Sequence, residues 1–188
     1  MWSVGDYDMD EFRIHGRGGQ GSVTLAHLIA EAAFKQGQWA QAFPAFGVER
    51  RGAPVEAYAR IDDEKITDRS QVREPTVVIV QDATLIGVTD VTAGIGGDGI
   101  LLVNSAKSPS ELTIESDATL LTVDATRIAR KHLGRPIMNT SLLGALAGAT
   151  DLLKIESVGS VILSSFGGTI GRKNTSAAEA AFGEVQAA

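Results

Sequence analysis

Three stretches restrict the fold more than anything else in the chain: "PTVVIVQD" (75–82), "GILLVNSA" (99–106) and "ATLLTVDAT" (118–126). Each is a continuous apolar run, where a half-solvated strand would alternate apolar and polar residues. Such runs are typical of parallel strands buried on both faces. Helical patterns surround them, at 22–37, 126–134, 139–153, 155–167 and 174–188. Buried strands alternating with helices imply an α/β fold: a mostly parallel, Rossmann-like sheet flanked by helices. The 188 residues suit a single domain, read as 12–188 behind an N-terminal extension of residues 1–11.

The remaining segments complete the sheet. "EFRIHG" (11–16) is a short strand, and 39–46 is a second one closed by Pro44. Between them, the helix at 22–37 presents His27, Glu31 and Lys35 on one face, which makes His27 a solvated residue and not a ligand. Residues 55–61 alternate Val55, Ala57, Ala59 and Ile61 with Glu56, Tyr58 and Arg60. That pattern predicts an edge or hairpin strand with one solvated face, turning at "DDEKI". Asn139 or Thr140 is the expected cap of the helix that follows.

Charge and composition narrow the function. The net charge of −6 argues against a broad surface for nucleic acid or acidic membrane. No cysteine is present, so disulfides, thiolate chemistry and iron–sulfur ligation within this chain are excluded. The acidic start lacks a signal-peptide core, and no apolar run is long enough to span a bilayer. A cytoplasmic protein is expected.

In an α/β sheet, ligands and partners meet the carboxyl ends of the strands. The predicted strands put the turn Gly16–Gly21, Asp82, Asn104 and Asp124 there, and Asn139 joins them. Each of these polar residues also suits a simple capping role. Gly16, Gly18 and Gly21 have the spacing of a dinucleotide-binding turn. A P-loop would need a lysine after Gly21, where Ser22 and Val23 stand. A dinucleotide site would need an acid at the end of the second strand, and "AFPAF" has none. Arg50 or Arg51 keeps an NADP alternative, a free-standing NAD(P)-binding oxidoreductase domain. Otherwise the turn suits an anion or a partner's acceptor, with Arg17 and Gln20 adding donors, or it is a tight turn that packs a neighbour.

The second dense stretch is "AFPAFGVERRGAPVEAY". Phe43 and Phe46 flank Pro44, and Glu49, Arg50 and Arg51 sit between Gly47 and Gly52, followed by Pro54. Aromatics beside arginines suit an interface or a fork onto phosphate or carboxylate. His15, His27 and His132 lie far apart, and neither a metal-ligand spacing nor a serine nucleophile motif occurs. The residues describe a non-catalytic α/β domain with a rim for an anion or a partner.

"GRGGQG", "AQAFPAFGVERRGAPVEAYARI" and "RPIMNTSLLGALAGAT", in that order, resemble the gamma subunit of 2-oxoacid:acceptor oxidoreductases, most closely the pyruvate:ferredoxin type. The resemblance implies a complex with alpha-, beta- and delta-type subunits. These use thiamine pyrophosphate, Mg2+ and [4Fe-4S] clusters to convert a 2-oxoacid to acyl-CoA and CO2. Pyruvate is the expected substrate, with branched-chain or aryl 2-oxoacids such as phenylglyoxylate as further options. Electrons would pass to ferredoxin, or to NAD through a flavin subunit. The gamma part would complete the assembly and be associated with CoA, with no metal, cluster or catalytic group of its own. Carried over by motif, Gly16, Arg17, Gly18, Gly19, Gln20, Gly21, Arg50 and Arg51 would meet CoA or a partner. Phe43, Phe46, Gly47, Glu49, Gly52, Pro54, Asn139 and Thr140 would lie at interfaces.

Overall fold

The computed structural model, which describes residues 9–45 and 51–187, turns the three apolar runs into neighbouring parallel strands. They are β4 (Val77–Val80), β5 (Ile100–Asn104) and β6 (Thr119–Val123). β1 (Asp10–Arg17) lies parallel to β4 on the other side. β3 (Pro54–Asp62) runs antiparallel to β1, and β2 (Trp39–Pro44) antiparallel to β3. With β7 (Gln186–Ala187) the order is β2-β3-β1-β4-β5-β6-β7. All strands but β3 and β7 therefore run in one direction, as expected of a mostly parallel sheet.

The register stacks apolar residues across the sheet: Ile14 opposite Ile79, Ile79 opposite Leu102, Leu102 opposite Leu121. These face the helical layer. That layer comprises α1 (Ser22–Lys35), α2 (Ala125–Leu133), α3 (Asn139–Ala149), α4 (Ile155–Phe166) and α5 (Gly168–Phe182). Leu25, Ile29, Leu142, Leu146, Val161 and Ala178 close this core, each fully buried side chain of Leu or Ile size contributing about 1.5–3 kcal/mol. The helices flank the sheet on one face. The opposite face of β4 and β5, formed by Val78, Val80, Leu101 and Val103, is covered by loop residues such as Leu85, Val91 and Leu112.

Three local expectations are corrected. β3 is an interior strand, not an edge: β2 and β1 pair with both its sides. Its polar face is also buried, because the loop after it folds back. Arg60 is fully buried and donates to Glu11 at 2.7 Å and to the Ser70 carbonyl at 2.9 Å. Asn139 and Thr140 do not cap α3. Met138 occupies the cap position without a side-chain bond, and both predicted caps turn inward. The last helix starts at Gly168 rather than 174 and ends at Phe182, after which the chain adds β7 to the sheet instead of continuing as helix to 188.

Candidate functional site

β1 and β4 are adjacent, but the chain leaves them in opposite directions, through α1 to β2 and onward to β5. Their carboxyl ends therefore open a crevice at a topological switch point. The glycine turn lines it. Gly18 donates to the Ala53 carbonyl at 2.9 Å, and Gly52 donates back to the Gly18 carbonyl at 3.0 Å. These two bonds tie the first motif to the described part of the second. Gly19 and Gly21 adopt φ of 92° and 80°, a region costly for other residues. A side chain at Gly16 would collide with Ser22 and Gln81, and one at Gly21 with the Asn139 amide. The third motif thus packs on the first.

Gln81 holds the cluster together. It is fully buried, and its backbone N–H donates to the His15 carbonyl at 2.8 Å. Its side chain accepts from Ser22 Oγ at 2.6 Å and donates to Asn139 Oδ1 at 2.8 Å, while its carbonyl accepts from Asn104 Nδ2 at 2.8 Å. Buried polar groups persist when satisfied in this way. The chain's next residue, Asp82, receives Arg17 Nε at 3.1 Å, Gln20 Nε2 at 3.0 Å and the Thr84 N–H at 3.0 Å. Burial opposes its ionisation, but the bonds from Thr84 and Gln20 and the Arg17 charge prevail and hold the carboxyl below its usual range. The guanidinium of Arg17 also reaches the Gly52 carbonyl at 3.1 Å and Thr84 Oγ1 at 2.8 Å. Arg17 and Gln20 therefore spend donors inside the chain, bracing the turn, where the sequence suggested that they face a ligand.

Two recesses flank this turn. One, of about 610 Å3, is lined by Arg17, Gly18, Gly19, Gln20, Arg51 and Gly52. Arg51 is exposed there. The other, of about 560 Å3, is lined in part by His15, Ser22, Pro44, Glu56, Leu85 and Thr89. His15 is buried, accepts from Arg13 Nε at 3.0 Å through Nε2, and sets Nδ1 3.5 Å from Glu56. Burial pushes its imidazole down to about 4, so it is neutral at pH 7. Glu56 in turn accepts from Tyr58 OH at 2.6 Å, and burial lifts that phenol to about 12.

The structure brings together Gly16, Arg17, Gly18, Gly19, Gln20, Gly21, Arg51, Gly52, Asp82, Asn104 and Asn139. Asp124 stays apart as the α2 cap, accepting from the Arg127 N–H at 2.8 Å. Asn139 and Thr140 are buried, and Thr140 donates to Asn174 at 2.8 Å. Phe43 is half-buried, with its ring 5.3 Å from Tyr58 and 5.2 Å from the Arg60 guanidinium. Phe46, Gly47, Glu49 and Arg50 lie outside the described residues. Gln81, His15 and Glu56 were missed from sequence. The available signal was a polar pair, Gln81-Asp82, closing an otherwise apolar run.

The iron–sulfur clusters that the resemblance implies do not fit this chain. A [4Fe-4S] cluster needs thiolates, and there is no cysteine. Among the described residues no group of three His, Asp or Glu is placed to hold a metal ion. Among the same residues no helix is long and apolar enough to cross a membrane.

Comparison with known proteins gives concordant matches. Residues 11–184 match the family model of pyruvate ferredoxin/flavodoxin oxidoreductase. The common subunit gamma of the pyruvate/ketoisovalerate oxidoreductases of Thermococcus kodakarensis is 52% identical over 180 residues, 94% of this chain and 97% of that one. The crystal structure of the pyruvate oxidoreductase subunit PORC from Thermotoga maritima superposes with a TM-score of 0.86 at 35% identity, covering 97% and 99% of the two chains. The 2-oxoglutarate:ferredoxin oxidoreductase of Magnetococcus marinus, solved with 2-oxoglutarate, coenzyme A and succinyl-CoA bound, shares the fold alone. Its TM-score is 0.74 at 17% identity, over 94% of this chain and 31% of that one. The free-standing NAD(P)-binding alternative gives way. A sequence match over nearly the whole chain, with the described parts of the three motifs meeting at one crevice, makes this chain a gamma-type subunit of the pyruvate ferredoxin/flavodoxin oxidoreductase family.

Proposed function

We propose that this chain completes a cytoplasmic, multi-subunit oxidoreductase that converts a 2-oxoacid and CoA to acyl-CoA and CO2. Pyruvate is the preferred substrate in this reading, and branched-chain or aryl 2-oxoacids such as phenylglyoxylate follow it. The names of the relatives support the pyruvate and ketoisovalerate classes. In this reading thiamine pyrophosphate with Mg2+ and the [4Fe-4S] clusters belong to the alpha-, beta- and delta-type subunits, and the lack of cysteine in this chain supports the placing of the clusters. Electrons leave to ferredoxin, or to NAD through a flavin subunit.

Within that complex the chain contributes a braced surface. The single observation behind this reading is the pair of main-chain bonds between Gly18 and the 52–53 segment, which hold the glycine turn and Arg51 around one recess. Arg17 is neutralised by Asp82, so Arg51 is the cation left to face outward in that recess. With Arg50 beside it in sequence, it meets a CoA phosphate or an acidic partner surface.

The test is the double change Arg50→Glu and Arg51→Glu in the complex purified anaerobically. A raised KM for CoA at unchanged kcat assigns the recess to CoA, and loss of the chain from the complex assigns it to a partner. Unchanged assembly and unchanged KM overturn the reading.

A further inference from the structure

The segment from α2 into α3 has a charge pattern that the crevice does not use. Between Asp124 and Asp151 there is no Asp or Glu, while Arg127, Arg130, Lys131 and Arg135 all fall there, in a chain whose net charge is −6. On α2, Ala125, Ile128 and Ala129 face the core, which places Arg127, Arg130 and Lys131 together on the outward face. Arg127 is paired with Asp124 and Glu184. Among the described residues Arg130, Lys131 and Arg135 make no ion pair.

Cations in the last turn of a helix offset its dipole, which accounts for part of this pattern. It does not account for Arg135, which lies beyond the closing residue Gly134. Nor does it account for Ile137, which is 49% exposed beside an exposed Pro136. Exposed apolar residues that follow exposed cations along the chain combine the two ingredients of an interface, an apolar contact and a polar rim. The loop then runs into Met138, which shares a recess with Asp82, Asn104 and Lys107 at the crevice. The exposed loop thus leads along the chain into the rim of the candidate site.

We propose that Arg130, Lys131, Arg135 and Ile137 form a docking face for an acidic segment of another subunit of the same oxidoreductase. The proposal rests on the subunit reading above. Charge complementarity selects an acidic partner, and the exposed Ile137 offers it an apolar contact beside the cations.

The experiment uses the co-expressed complex, captured anaerobically through a tag on a partner subunit and washed with increasing salt. One variant carries Arg130→Glu, Lys131→Glu and Arg135→Glu, and a second carries Ile137→Asp. At a salt concentration that leaves the wild-type gamma chain bound, at least tenfold less of either variant is retained. The free variant chains melt within a few degrees of the wild type, which separates lost docking from lost folding. Retention equal to wild type at every salt step overturns the proposal. So does normal retention with a raised KM for ferredoxin, which would make the patch a landing site for the mobile carrier. A free gamma chain that sediments as a dimer, and as a monomer once the triple variant is introduced, would assign the face to a second copy and overturn it too. If no subunit is captured with the wild-type chain, the subunit reading itself fails.

Discussion

The two faces of the sheet solve the same problem by opposite means. On the helix side, β1 and β3 present Phe12, Ile14, Ala57, Ala59 and Ile61 to apolar partners. On the other side the alternate residues of the same strands are Arg13, His15, Glu56, Tyr58 and Arg60. Four of these five are nearly as buried as their apolar neighbours, although no helix covers them, and Glu56 alone keeps partial exposure. Loops cover them through directed bonds: Arg60 donates to the carbonyls of Asp68 and Ser70, Gln71 donates to Tyr58, and Arg13 donates to the carbonyls of Val91 and Ala93. The helix side depends on shape and area, and the loop side on every donor finding an acceptor. Steric changes should damage the first, and loss of one partner the second.

The largest effect is expected from Arg60→Ala. It strands Glu11 and releases the loop, and breaking a buried ion pair from one side costs about 3–5 kcal/mol. Denaturant titration measures this directly. A loss below 1 kcal/mol would show that the loop is not held by this residue, and the contrast between the faces would collapse. The steric counterpart is Gly144→Ala. A methyl group there meets the Ala178 carbonyl where α3 crosses α5, and overpacking of that kind costs about 1–3 kcal/mol. A neutral result would mean that the helix layer adjusts more freely than a close-packed core should.

The smallest effect concerns Asp10, where the two faces meet the end of the sheet. Burial, with Asp151, Asp62 and Asp63 nearby, lifts its carboxyl to about 6 against the Thr76 hydroxyl, which pulls the other way. The folded chain binds this proton more tightly than the unfolded chain, so the carboxyl costs nothing below about pH 4 and weakens the fold as pH rises through about 6. Asp10→Asn should therefore stabilise the protein by about 1 kcal/mol at pH 7, allowing for the solvent that still reaches the group, and by nothing near pH 4. Melting curves at the two pH values check the sign, and a gain independent of pH would remove titration as the cause.

The course of the sheet was legible because the signals behind it are local. Runs such as "VVIV" and "ILLV" exclude a solvated face wherever they end up, and glycines at 134 and 37 stop helices by backbone conformation alone. The site was half legible. Gly16, Gly18 and Gly21 announced a tight turn, and Asp82, Asn104 and Asn139 were placed on its rim. What their side chains do was not legible. Gln81, His15 and Glu56 became important only when segments dozens of residues apart came within bonding distance. The alternation in β3 was misread for the same reason: a polar residue facing water and one facing a loop's carbonyls look identical in sequence.

By itself, then, the sequence determined the α/β class, the buried runs that become parallel strands, the absence of any cluster ligand and, through three ordered motifs, the family. Tertiary structure alone decided that the glycine turn clamps the Arg51 loop, that Arg17 is spent on Asp82, and that the basic face of α2 is left open. Strand formation follows from hydrophobic burial, which is non-directional and scales with the area of each residue. Hydrogen bonds and ion pairs require a particular partner at about 3 Å, and the choice of partner belongs to the folded chain.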